Sequence, residues 1–180
     1  MRRNNLRTSL VCIIVVVISS IAAIGYIQKS IPAEGNIYGP YFCPEDRCSH
    51  IVINWISRAN QSIEIAIYSF TLDSIGDALI EAHNRGVEVR VIMEKDQVNR
   101  YSEYSKLKAA GIEVKLDGND RLMHNKFVII DEKVVLTGSY NFTKSADEYN
   151  DENLLVIVSR RIAEAYKSEF QEMWSGKFGC

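Results

Sequence analysis

Four side chains in the second half of the chain have the types and spacings that phosphate chemistry requires. The stretch His124-Asn125-Lys126-Phe127-Val128-Ile129-Ile130-Asp131 is followed by Gly138-Ser139-Tyr140-Asn141-Phe142. On an extended backbone, residues two apart project to the same side, so His124 and Lys126 face one way. An imidazole supplies a nucleophile or a proton carrier, and an ammonium supplies charge and hydrogen-bond donors. Ser139 and Asn141, also two apart, aim further donors the same way, and Gly138 leaves backbone room for an oxyanion. Such a set can hold non-bridging phosphate oxygens by electrostatics alone, the task a divalent cation performs elsewhere. Singly, each of these residues also suits a solvated surface or a turn. The joint spacing is what points to chemistry.

The elements that must position them are legible as periodicities. Ser49 is placed to cap a helix running to about Asn60. Ser62 to Phe70 alternates and is β-branched, as a strand does. Leu72 to Asn84 has helical spacing and stops at Gly86, Val87 to Met93 reads as a strand, Tyr101 to Ala110 as a helix closed by Gly111, and Ile112 to Leu116 as a strand. Lys126 to Ile130 and Lys133 to Thr137 form two strands across a short polar break. Glu152 to Val158 is a further strand, and Arg160 to Trp174 an amphipathic closing helix. The alternation predicts an α/β fold, with a mixed, mostly parallel sheet and helices on both faces. The catalytic unit is expected at 49–178, and residues 30–48, with their Pro, Gly and Cys pair, are expected to be a linker.

Residues 1–29 have a different character. Between Arg7 and Lys29 lie 21 consecutive uncharged residues, preceded by three arginines. A helix of that length roughly spans the ~30 Å apolar core of a bilayer, with its N-terminus held in the cytoplasm. Ser20-Ile21-Ala22 also fits a signal cleavage site, so anchor and exported signal both stand. Either places the remainder outside the cytoplasm. That compartment suits a disulfide between Cys43 and Cys48. Cys43, Cys48 and His50 as three ligands of a structural zinc are the alternative. The overall charge of −2 is uneven: all four charges in the first thirty residues are basic, which leaves the body net acidic. This excludes a basic surface that binds nucleic acid non-specifically and tightly.

The string His-x-Lys, four residues, Asp, six residues, Gly-Ser-x-Asn matches the HKD motif of the phospholipase D superfamily without departure, at His124, Lys126, Asp131, Ser139 and Asn141. Over the whole body the chain resembles the small single-motif members, the bacterial exported endonucleases and the mitochondrial cardiolipin hydrolase group. The resemblance implies a metal-independent phosphodiesterase that needs no cofactor. By it, His124 is the nucleophile or acid, Lys126, Ser139 and Asn141 bind phosphate, Asp131 is a structural member of the motif, and Glu152 is the carboxylate that orients the histidine.

Exchange at phosphorus by this route uses two histidines on opposite sides. The chain has only His50, His83 and His124, with no internal repeat. A homodimer with the active site at its two-fold axis is the expected consequence. The favoured substrate is DNA or RNA, with Arg100, Arg121 and Lys144 flanking the motif as possible contacts to its backbone. A phospholipase D acting on phosphatidyl lipids is the second reading, and a non-catalytic phosphate-binding module the third.

Overall fold

The structure, a computed structural model, describes residues 35–178. The expected membrane or signal segment at 1–29 lies outside them. Among the described residues, no helix is long and apolar enough to cross a membrane.

Seven strands form one sheet: β1 (Asn36–Cys43), β2 (Ser62–Ile67), β3 (Glu88–Met93), β4 (Glu113–Leu116), β5 (Lys126–Ile130), β6 (Val134–Gly138) and β7 (Glu152–Val158), in the order β1-β7-β6-β5-β2-β3-β4. Among the described residues, five α-helices accompany them: α1 (Cys48–Ile56), α2 (Asp73–Asn84), α3 (Tyr104–Ala109), α4 (Lys144–Glu148) and α5 (Arg160–Trp174).

The sheet has two cores. One, under α1, α2 and α3, takes Ile63, Ile65, Val128, Ile130, Leu136 and Val156. The other, under α5, takes Ala66, Phe127, Ile129 and Val135 together with Ala163, Phe170 and Met173 of the helix. Alternate residues of β5 therefore go to opposite layers, and helices cover both faces as expected. Each fully buried Ile, Val or Leu in such a layer contributes about 1.5–3 kcal/mol.

The sheet is mixed but not mostly parallel. Only β2–β3 and β3–β4 are parallel, while β1–β7, β7–β6, β6–β5 and β5–β2 are antiparallel. The strand–helix rhythm that suggests parallel pairing governs only β2 to β4. Beyond them, a tight connection between β5 and β6 and the short helix α4 between β6 and β7 each reverse the chain. Helix α4 has no counterpart in the sequence reading. Thr143 starts it by accepting from the Ala146 amide at 3.2 Å.

Residues 36–43 are likewise not linker. They form an edge strand, with a bulge between Tyr38 and Tyr41 where Gly39 adopts φ +96. The Gly and Pro residues that suggest a linker sit at this bulge, where an edge strand tolerates them. Cys43 and Cys48 are joined in a disulfide that staples the end of β1 to the start of α1. With the sulfurs bonded to each other, the zinc set with His50 is not formed. Ser49 does not cap α1 either. Arg47 precedes that helix in the left-handed conformation, and Ser49 turns its amide and hydroxyl to Asp147 at 2.9 and 2.8 Å.

Asp131 belongs to this scaffold. At φ 51, its carboxylate accepts from the amides of Asn60, Gln61 and Ser62 at 2.8–3.2 Å and so fixes the entry into β2. Replacing it with alanine removes charge-assisted acceptors from three consecutive amides, at an expected cost of about 2–4 kcal/mol. Urea denaturation measures this. A loss under about 0.5 kcal/mol would show that solvent replaces the carboxylate freely.

Candidate active site

Strand directions bring one end of each of the seven strands to one edge of the sheet. β2, β3, β4 and β6 end there, β5 and β7 begin there, and Cys43 closes β1 opposite Glu152. A cavity of about 500 Å³ at this edge is lined by His124, Lys126, Gly138, Ser139, Asn141, Glu152 and Asn153. The sequence-predicted residues His124, Lys126, Ser139, Asn141 and Glu152 thus meet in one place. Asp131 does not join them, because it lies past the opposite end of β5.

Each side chain is held by something specific. His124 lies on the extended segment leading into β5, and its ring packs edge-on against Tyr68 with centroids 4.6 Å apart. The segment ahead of it is fixed by Glu94, a fully buried carboxylate at the end of β3 that accepts from the Met123 amide at 2.7 Å. Lys126 opens β5, and its Nζ donates to the His124 carbonyl at 2.9 Å. Asn141 accepts from the Ser69 amide through Oδ1 at 3.2 Å, which leaves its NH₂ as the donor available to a ligand. Tyr140, between the two polar residues, is buried and donates to Asp147 at 2.8 Å. Burial, reinforced by that carboxylate, raises its pKa well above the ordinary phenol value.

Glu152 departs from expectation. It shares the cavity with His124, but its two oxygens accept from Ser139 Oγ and from Asn150 Nδ2. Within one chain it organises the serine, and the contact that orients the His124 ring comes from Tyr68. Asn153 completes the serine's environment: its amide and Nδ2 donate to Ser139 Oγ at 3.1 and 3.2 Å, and its carbonyl accepts from the Ser139 amide at 3.1 Å. Gly138 is required where β6 meets β7, because a Cβ there would lie 2.1 Å from the Asn153 carbonyl oxygen.

Tyr68, Glu94 and Asn153 escape sequence reasoning because their roles depend on strand register. Glu94 alone leaves a trace, as an acid that directly ends an apolar strand.

The remaining histidines lie elsewhere. His83 lines a separate cavity with Gly86, Glu88 and Gly111, and His50 another with Arg47, Asp147 and Glu148. Among the described residues, no group of three or more His, Cys, Asp or Glu is arranged to hold a metal.

Burial in the cavity lowers the Lys126 pKa from its ordinary value, with the Glu152 carboxylate acting in the opposite direction. The cation is therefore lost at a lower pH than the ~10.4 of a free lysine. The alkaline limb of kcat/KM should fall below that value and move upward in Lys126→Arg, whose guanidinium stays charged. Superimposable alkaline limbs in the two proteins would assign the limb to another group.

Residues 52–174 match the family described as "Cardiolipin synthase, PLD-like domain". The chain is 37% identical over 146 residues to a phospholipase D of Rickettsia prowazekii, covering 81% of this chain and 71% of that one. It is 40% identical over 118 residues to the mitochondrial cardiolipin hydrolase of Xenopus tropicalis, covering 65% of this chain and 56% of that protein. Among solved structures, it superimposes on the phospholipase D family member Nuc from Salmonella typhimurium with a TM-score of 0.75 at 33% identity, covering 79% of this chain and 96% of Nuc.

Proposed function

The chain belongs to the phospholipase D superfamily, and from that premise we propose that it is a phosphodiesterase working through a phosphohistidine at His124 without a metal ion. The observation that carries this is the cavity in which His124, Lys126, Ser139 and Asn141 converge. Lys126 Nζ, Ser139 and the Asn141 NH₂ bind the non-bridging oxygens and neutralise the charge that builds up at phosphorus.

A neutral His124 attacks the phosphorus. The P–N bond forms as the P–O bond to the leaving group breaks, and a second histidine, protonated, gives its proton to the departing oxygen. That histidine, now neutral, takes a proton from water. The resulting hydroxide attacks phosphorus from the side the leaving group vacated, and the P–N bond breaks to return His124. His50 and His83 line other cavities, so the second histidine is His124 of another copy of the chain. The working form is then a homodimer with a two-fold axis at the cavity.

The first reading for substrate is DNA or RNA outside the cytoplasm. Supporting it, Arg100 lies 4.6 Å over the exposed Tyr101 ring in the loop that leaves β3 at this edge, a pair suited to stacking on a base. Arg121 and Lys144 flank the motif, and both are exposed. A phospholipid is the second reading. It is favoured by the exposed Phe42, Leu122 and Tyr149 near the same edge and by the activities for which the Rickettsia and Xenopus relatives are named.

The test is turnover by the full chain in EDTA of plasmid DNA, single-stranded RNA and phosphatidylcholine or cardiolipin vesicles, beside His124→Asn. Cleavage of nucleic acid that the variant loses supports the first reading, and lipid turnover alone supports the second. A folded protein that turns over none of them would contradict both and leave a phosphate-binding module.

A further inference from the structure

The geometry points to Tyr68 as a positioning residue that sets both His124 and Lys126 for attack, an inference that rests on the phosphodiesterase reading of the same cavity. Tyr68 lies outside the His-x-Lys and Gly-Ser-x-Asn strings. It is the first residue past β2, and its amide donates to the Asn125 carbonyl at 3.0 Å, which locks its backbone beside the segment bearing both groups. One ring then meets two partners. The His124 imidazole stands against it at an interplanar angle of 63°, and Lys126 Nζ lies 5.1 Å from its centroid. The phenol oxygen accepts from Gln97 Nε2 at 3.0 Å, so the ring is also held from the loop after β3.

Each contact has a distinct consequence. His124 is exposed and sits on a segment outside any helix or strand. Without a wall beside it, its ring would sample rotamers that do not point at phosphorus, and an edge-to-face aromatic contact removes that freedom. For Lys126, the requirement is a nearby group that attracts the ammonium but leaves its hydrogens for phosphate. A carboxylate would compete with the substrate, whereas a ring face attracts the cation without accepting its hydrogens in phosphate's place. One donation goes to the His124 carbonyl, leaving two of the three ammonium hydrogens for the ligand.

The test uses the full chain, with bis(4-nitrophenyl) phosphate as a phosphodiester indifferent to substrate class. Tyr68→Phe keeps the ring and should stay within about threefold of the parent kcat. Tyr68→Leu fills similar space without a ring and should lose about 10–100-fold in kcat with little change in KM, because orientation counts chiefly in the transition state. Its alkaline limb should also move to lower pH, as the lysine loses the ring that favours its charged form.

A readout independent of turnover is the NMR chemical shift of the His124 ring protons, assigned by their absence in His124→Asn. The aromatic ring beside them displaces that chemical shift, and the displacement should vanish in Tyr68→Leu and stay in Tyr68→Phe. A leucine variant with parental kcat, alkaline limb and His124 chemical shift would overturn the assignment, even if it melted at a lower temperature. If the parent itself shows no His124-dependent turnover, the phosphodiesterase reading is what fails. The ring-proton chemical shift then decides alone whether Tyr68 governs the histidine.

Discussion

His124→Asn is expected to lower kcat against any phosphodiester the protein cleaves by about 10³-fold or more, with the fold intact. Asparagine approximates the imidazole in size and polarity but can neither form a P–N bond nor carry a proton. The loss is large because, in the proposed dimer, one substitution removes both the nucleophile and the acid. Stability should change by less than about 0.5 kcal/mol, since the side chain is exposed and contributes to neither core. Mixing gives a sharper form of the test. In dimers that pair one parental and one variant chain, the single composite site lacks a histidine, so only parental pairs remain active. Activity should then fall as the square of the parental fraction. A linear fall would mean that each chain works alone, and a variant within tenfold of the parent would remove His124 from the chemistry.

The second large effect is expected at Gly138→Ala. A Cβ at this position would meet the Asn153 carbonyl oxygen at 2.1 Å and its Oδ1 at 2.9 Å. The first of these is backbone and cannot swing aside, so β6 and β7 must separate where they frame the cavity. That separation breaks the hydrogen bond from the Ser139 amide to the Asn153 carbonyl and moves Ser139 Oγ away from Asn153 and Glu152. Overpacking of this kind costs about 1–3 kcal/mol. A displacement of about 1 Å in a phosphate-binding group costs about 10²-fold in rate. Urea denaturation and kcat, measured together, should both register the change. An alanine protein with parental stability and turnover would mean that the strand ends are slack and that Gly138 serves neither packing nor chemistry.

Much of the site was legible because its chemistry is local in sequence. His124 and Lys126 share a side of an extended segment, Ser139 and Asn141 share the turn after β6, and short-range periodicity is enough to see both. Their convergence follows from adjacent antiparallel strands, β5 and β6, joined by a tight connection. What could not be read depends on partners distant in sequence. Tyr68 reaches His124 through the register that sets Ile67 opposite Lys126. Glu152 engages Ser139 rather than the histidine of its own chain because β7 lies beside β6. The edge strand β1 was hidden for a different reason. Its Gly39-Pro40 bulge carries the composition of a linker, and only the pairing with β7 reveals it as sheet. The parallel bias of the expected sheet came from extending the rhythm of β2 to β4 past the point where the chain reverses.

The most direct test of the central claim is to trap the covalent intermediate. The full chain is mixed with a slowly turned-over phosphodiester in EDTA, quenched in alkali, where a phosphorylated histidine survives, and digested for mass spectrometry. A phosphoryl adduct on the peptide containing His124, absent from His124→Asn, is the predicted result. Turnover with no adduct on His124 under single-turnover conditions, or an adduct on another residue, would contradict it.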